Sequence, residues 1–142
     1  ESYLNGNISD EMVSGAADKN IWFVQAENDT IVDPRIAALP LYYRLAAAGA
    51  DNIHFSLFPE VTGTDDPEGE YIGHYSWVYV FNNAVNRDFD REQVRADAAN
   101  IRISQEGDTR GNLVSEGNYV TAANCTEEAN LFQWMAGQSL AD

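Results

Sequence analysis

Two residues of this 142-residue chain, Asp29 and His74, have the types and the setting of an acid–base pair. The apolar run Ile21–Ala26 ends just before Asp29, and His74 follows a glycine in a later loop. A carboxylate that accepts a hydrogen bond from an imidazole holds the ring in one tautomer. The other ring nitrogen can then take a proton from a hydroxyl nucleophile. The pair predicts acyl-transfer chemistry, with Asp29 as the orienting acid and His74 as the general base.

Each candidate has an ordinary structural alternative. Taken alone, Asp29 could cap a turn after a strand, and His74 could be a hydrogen-bonded loop residue. Their matching positions after two successive predicted strands favour the catalytic interpretation. Asp33 is a rival acid, but its place before Pro34 suits a helix N-cap. His54 lies in the middle of a predicted strand, where we expect a structural role.

A strand–helix–strand unit must position the pair. Ile21–Ala26 and Ile53–Phe58 are apolar runs typical of strands buried in a parallel sheet. Between them we expect a short helix over 34–39 and a second helix from Pro40 to Ala48, ended by Gly49. The predicted fold class is α/β, with a right-handed crossover.

The remaining elements are predicted from local patterns. Ser9 should cap a helical turn, residues 59–73 form a loop, and Arg87, Arg91 and Arg95 lie on one solvated, salt-bridged helical face. The other expected elements are helices at Ser76–Asn82, Arg87–Ala99 and Glu127–Gln138, and strands at Ile101–Ser104 and Asn118–Thr121. Residues 85–127 look like an insertion before the last helix.

Composition excludes several classes of partner. The formal net charge is −15, with 23 acidic and 8 basic residues, so the chain should repel nucleic acid and anionic membranes. Cys125 is the only cysteine, which excludes an internal disulfide and a cysteine-based zinc cluster. No apolar run approaches the ~18 residues of a membrane span. No signal-peptide pattern opens the chain, and its cellular compartment is left open.

The acidic loop before His74 offers a metal alternative. Its carboxylates are those of Glu60, Asp65, Asp66, Glu68 and Glu70. We interpret it as a solvated loop, with a calcium site or a filter for cationic or neutral substrates as alternatives. A metal-dependent hydrolase that uses His74 is a further hypothesis, but two histidines make a poor zinc site. We therefore predict no metal and no cofactor.

Several motifs resemble the C-terminal half of bacterial esterases of the α/β-hydrolase superfamily, closest to polyhydroxybutyrate depolymerases, feruloyl esterases and prolyl-oligopeptidase-like esterases. These motifs are Trp22–Val32, Tyr42–Gly49, Asn52–Pro59, Gly73–Trp77 and Phe132–Trp134. In this resemblance Asp29 matches the acid of an Asp-x-x-Val turn, and His74 matches the base of a Gly-His pair. The resemblance implies that residues 1–142 are the C-terminal part of one α/β-hydrolase domain.

The family's nucleophile is missing, because no Gly-x-Ser-x-Gly elbow occurs in the sequence. Ser2, Ser9 and Ser14 precede Asp29 but lack the elbow glycines and a leading strand. The resemblance therefore implies a serine upstream or on a second chain, and this chain alone should be inactive. The missing half, or self-association into a homo-oligomer, would cover the exposed strand edges.

The implied substrate is a small carboxylic ester or, with less support, a peptide. Tyr75 and Trp77, together with Tyr71, could form an aromatic wall for an acyl or aryl group, or could equally belong to the core. The alternative to an enzyme is a non-catalytic acidic α/β module for binding or interaction.

Overall fold

The computed structural model describes residues 9–35, 38–62, 70–98, 121–126 and 130–138. Within these residues the α-helices are α1 (Asp10–Ala16), α2 (Ala38–Ala47), α3 (Trp77–Phe81), α4 (Arg91–Ala98) and α5 (Leu131–Gly137). The strands are β1 (Ile21–Ala26), β2 (Ile53–Phe58), β3 (Val61–Thr62), β4 (Glu70–Tyr71), β5 (Asp88–Phe89) and β6 (Cys125–Thr126). Short 3₁₀ turns span Gly73–Tyr75 and Ala122–Asn124.

β1 and β2 form a parallel two-stranded sheet with the bounds that the two apolar runs predict. The pairing runs from Ile21 opposite Ile53 to Ala26 opposite Phe58, and α2 lies between the strands in the chain. Side chains on both faces are buried or half-buried, as in parallel sheets covered by other elements. The described chain is therefore a mixed α/β protein, which confirms the predicted class at this level.

One helix, α2, occupies the region where two were predicted. Pro34 and Arg35 form a turn, α2 begins at Ala38, and residues 36 and 37 lie outside the described residues. Pro40 falls in the first turn of α2, where its missing N–H would have no partner within the helix, so it needs no break. Gly49 ends the helix with a φ of 85°, as predicted.

Phe55 lies at the centre of the core between β2 and α2, where it is fully buried. Its ring stacks on Phe23 with centroids 5.3 Å apart and meets Tyr42 edge-on at 5.5 Å. Phe89 packs against it at 5.3 Å. Aromatic pairs add about 0.5–1.5 kcal/mol beyond burial of their area, so these contacts join β1, β2, α2 and β5 into one core.

The outer edge of β2 is covered by side chains from the segment that begins at residue 85. The predicted helix over 87–99 is wrong at its start, because Asp88–Phe89 is β5 and pairs with β6. Asp88 Oδ1 accepts a hydrogen bond from Phe55 N at 2.8 Å, and Arg87 Nη1 donates to Leu57 O at 3.1 Å. These side chains take the place of a neighbouring strand along β2.

The predicted arginine face is wrong as a single solvated helical face, although its salt bridges are present: Arg91 pairs with Glu92, and Arg95 pairs with Glu92 and Asp51. Arg87 precedes α4, and the other two arginines reach the carbonyls at the end of α2. Arg95 donates to Ala46 O at 3.0 Å and to Ala50 O at 3.2 Å, and Arg91 Nη1 donates to Asp51 O. Cations are favourable beside the carbonyls that end a helix, so these side chains hold α4 against α2.

The remaining predictions are only partly covered by the described residues. Ser9 caps α1 through a hydrogen bond from Met12 N to its Oγ at 3.2 Å, as predicted. The loop predicted at 59–73 contains the antiparallel pair β3–β4, with residues 63–69 outside the description. The helix predicted at Ser76–Asn82 is α3, and Asn130 caps the last helix, which begins at Leu131. The strand predicted at Ile101–Ser104 and residues 118–120 of the strand predicted at Asn118–Thr121 lie outside the described residues. Thr121 itself is not in a strand but precedes the 3₁₀ turn Ala122–Asn124.

A search of the described residues for a helix long and apolar enough to span a membrane finds none.

Replacing Asp88 tests whether side-chain hydrogen bonds to the outer edge of β2 stabilise the fold. Asp88→Ala would leave the buried Phe55 N–H and the His54 ring without their shared partner. We expect a loss of about 2–4 kcal/mol in the free energy of unfolding, measured by urea denaturation. The control is Asp18→Ala, which removes an exposed carboxylate paired with Lys19 and should leave stability unchanged. Equal stability of the two variants would contradict the role given to Asp88.

Candidate catalytic dyad

Asp29 is a buried carboxylate in the turn that follows β1. Its Oδ1 accepts hydrogen bonds from Ile31 N at 3.0 Å and from Val32 N at 2.8 Å. Asp29 itself is only 5% exposed. Two backbone donors on one oxygen hold the carboxylate in a single orientation, which leaves Oδ2 for another partner.

That partner is His74, on the 3₁₀ turn Gly73–Tyr75. His74 Nδ1 lies 3.2 Å from Asp29 Oδ2. The structure thus brings together the two residues that the sequence paired. Because an ionised carboxylate can only accept, we assign the proton to Nδ1, and Nε2 then carries the lone pair. Among the described residues nothing hydrogen-bonds to Nε2, and the His74 side chain is 34% exposed.

Gly73 permits the contact between the two loops. A Cβ atom at this position would lie 2.2 Å from Asn28 Oδ1 and 2.5 Å from Asp29 N. Real Cβ atoms do not approach backbone so closely, so only glycine lets the His74 turn lie against the acid turn. The reason for glycine at this position is therefore the close packing of the two loops.

Gln25 is a positioning residue that the sequence reasoning missed. Its Nε2 donates to Val32 O at 2.5 Å, so it fastens the far end of the turn whose amides hold Asp29. Gln25 is buried and stands in an otherwise apolar strand. A lone amide in such a run was the available signal, because a buried polar side chain requires a partner.

Glu27 ties the same turn to the chain after residue 120. Its Oε1 accepts a hydrogen bond from Ala122 N at 2.6 Å, and its own N–H donates to Phe58 O at 2.8 Å. The acid turn is therefore held from β2 and from the 3₁₀ turn at Ala122. No pattern in the sequence indicated this contact.

Exposed aromatic rings stand beside His74. Trp77 meets the imidazole edge-on with centroids 5.6 Å apart, and Tyr75 lies 4.8 Å from Trp77. Their exposed fractions are 39% for Tyr75 and 43% for Trp77, and Tyr71 and Ile72 are also exposed. In the described residues the Tyr75 and Trp77 rings are thus partly exposed and lie beside the His74 imidazole.

The rival acid and the second histidine are both engaged elsewhere. Asp33 pairs with Arg35 through two oxygens, and this hydrogen bonding lowers the pKa of Asp33. It closes a turn instead of capping the predicted helix. His54 Nδ1 lies 2.6 Å from Asp88 Oδ2, and its Nε2 lies 3.1 Å from Asn52 Oδ1. His54 therefore has no free ring nitrogen.

No serine in the described residues reaches His74. Ser9 caps α1, Ser14 Oγ donates to Glu11 O at 3.2 Å, and Ser2 lies outside the description. Ser76 is two residues from the imidazole, but it is buried and its Oγ donates to Val24 O at 3.4 Å. The described dyad thus has an acid and a base without a nucleophile.

The described residues contain no cluster of three or more histidine, cysteine or carboxylate side chains that could hold a metal. The side chains of Asp65, Asp66, Glu68 and Glu70, on which the calcium and zinc alternatives depended, lie outside the description.

Comparisons with protein-family models, with curated proteins and with solved structures give no match to this chain. Its function therefore has to be inferred from the chemistry of these residues and the motifs around them.

Gly73→Ala tests the contact between the loops. The new Cβ must push the two turns apart, at a cost of about 1–3 kcal/mol in stability, and should abolish the NMR signal of the His74 Nδ1 proton. The matched control is Gly15→Ala in α1, where a Cβ meets nothing within 4 Å. That variant should retain the signal and gain about 0.5–1 kcal/mol. A retained His74 signal in Gly73→Ala would count against the packing role.

Gln25→Leu tests the fastening of the acid turn. Losing a hydrogen bond with a net value of about 1 kcal/mol should speed amide hydrogen exchange at Ile31 and Val32 by about 5-fold or more. Gln93→Leu is the control, because the Gln93 side chain donates to Asp97 on the exposed side of α4. If both variants exchange like the wild-type chain at Ile31 and Val32, Gln25 does not position the turn.

Proposed function

We propose that this chain carries the acid and the base of a Ser-Asp-His triad in a serine hydrolase that cleaves carboxylic esters. The observation that carries the proposal is the hydrogen bond between His74 Nδ1 and Asp29 Oδ2, 3.2 Å long. The nucleophilic serine would lie outside these 142 residues, on an upstream segment or a second chain.

Each group has a defined part in the proposed reaction. The serine attacks the ester carbonyl while His74 Nε2 takes its hydroxyl proton, and His74 later returns that proton to the leaving alcohol. The buried Asp29 carboxylate stabilises the imidazolium that forms between these steps. Backbone amides on the missing segment would hold the oxyanion. No cofactor is needed for these steps.

The wider fold in this proposal is an α/β-hydrolase domain, of which residues 1–142 form the C-terminal part and 85–127 an insertion. Two features support it. The dyad follows two parallel strands joined through a helix, the arrangement of the acid and base in that fold. In addition, β1 pairs with β2 alone among the described residues, so its other edge is available to the rest of a larger sheet. The missing half is thus the expected partner.

The proposed substrate is a small, apolar ester. Tyr75 and Trp77 present exposed ring surface beside the His74 imidazole, where we place the acyl or alcohol group of a substrate. Aromatic side chains of this kind bind apolar groups well because they bury a large area. The overall charge of −15 also disfavours anionic substrates.

Triad variants of the complete protein, with its serine-bearing segment present, test the proposal. His74→Ala and Asp29→Asn should each lower ester turnover by roughly 10⁴-fold, the scale of losses in known triads. Asp33→Asn is the matched control, since Asp33 pairs with Arg35, and its turnover should stay within a few-fold of wild type. Near-normal ester hydrolysis by His74→Ala would refute the assignment. A complete protein without any esterase activity would favour a binding module.

A further inference from the structure

The His74 imidazole is set up as a nucleophile in its own right. Asp29 Oδ2 engages Nδ1, so the lone pair of Nε2 points away from the acid turn. The Asp29 carboxylate is buried and is held by two backbone donors. Because its orientation is fixed, it favours one tautomer of the His74 ring. With the proton assigned to Nδ1, the lone pair is on Nε2, and the ring is exposed enough to meet a small molecule.

We propose that this chain is acylated at His74 Nε2 by activated aryl esters and slowly hydrolyses them, with no serine nucleophile taking part. An activated ester is one whose phenolate leaving group is stable. The inference uses the dyad geometry alone and does not depend on a serine-bearing partner. The chain should remain inactive toward alkyl esters, whose alkoxide leaving groups a free imidazole cannot expel.

The proposed reaction has two steps, acylation of Nε2 and hydrolysis of the acyl group. Nε2 attacks the carbonyl carbon, a bond forms between Nε2 and that carbon, and the bond from carbon to the aryl oxygen breaks. The phenolate leaves with the bonding electron pair. The ring, acylated on Nε2 and protonated on Nδ1, is a cation beside the Asp29 carboxylate. Water then attacks the acyl carbon, the bond to Nε2 breaks, and a carboxylate and protons are released.

The aromatic side chains favour aryl esters over others. Trp77 lies edge-on to the imidazole and Tyr75 packs beside it at 4.8 Å. An aryl group held against these rings would place its ester carbonyl close to Nε2, and offset or edge-on ring contacts contribute about 0.5–1.5 kcal/mol each. The aryl group of such an ester is thus both the group that the aromatic side chains bind and the leaving group of the reaction.

Competing nucleophiles are few in the part of the chain that the structure describes. His54 has both ring nitrogens engaged by Asp88 and Asn52. Lys19, the only lysine in the sequence, pairs with Asp18. Burial raises the pKa of the Cys125 thiol, which lowers the fraction of reactive thiolate. Acylation should therefore be selective for His74.

The experiment uses the 142-residue chain and p-nitrophenyl acetate. Release of p-nitrophenolate should be at least about 10-fold faster than with His74→Ala, and His54→Gln should match the wild type. Asp29→Asn should release p-nitrophenolate about 10-fold more slowly than the wild type, because an amide at position 29 does not hold the Nδ1–H tautomer as a carboxylate does. Circular dichroism checks that each variant is folded.

A second measurement needs no variant. Acid-quenched wild-type protein should carry one acetyl group, which peptide mapping places on His74 and which hydroxylamine removes, because acyl-imidazoles are labile and amides are not. Equal rates for wild type and His74→Ala, or a hydroxylamine-resistant adduct on Lys19 alone, would overturn the inference. Either result would leave the proposed triad to be judged by the kinetics of the complete protein.

Discussion

The rest of the site depends on one buried carboxylate, that of Asp29, whose two oxygens both have hydrogen-bond partners. Asp29 has one oxygen bound by two backbone amides and the other facing His74. A buried carboxylate is costly unless such donors compensate it, so the turn around it must be held firmly. Gln25 closes that turn from the strand side, and Gly73 allows the histidine loop to approach. In the described residues this packing leaves one ring nitrogen of His74, Nε2, without a hydrogen bond.

The small sheet is completed by side chains as well as by strands. Among the described strands β2 pairs with β1 alone, yet its other edge is bonded by Asp88 and Arg87. Asp88 also binds His54, whose ring stacks on Trp22 with centroids 4.6 Å apart. The second Asp–His pair of the chain is therefore a structural joint. It differs from the first because both of its imidazole nitrogens are occupied.

The sequence was sufficient for β1, for β2 and for the pairing of Asp29 with His74, because continuous apolar runs and the residue types that follow them are local signals. It was insufficient where a residue's role depends on a distant partner. The alternating charges after Arg87 are typical of a surface helix, yet Asp88 and Arg95 face the backbone of β2 and α2. Pro40 suggested a helix break, but only the position of the helix start shows that it fits the first turn. Gln25 could have been suspected from its apolar neighbours, although its partner could not.

Labelling with a fluorophosphonate probe, read by intact mass, tests the central claim most directly. The probe reacts with a serine only when a triad activates it. We expect the 142-residue chain alone to stay unlabelled, and the complete protein to carry one label on a serine outside this sequence. His74→Ala should abolish that label. A labelled serine within these 142 residues, or a complete protein that never reacts, would contradict the account.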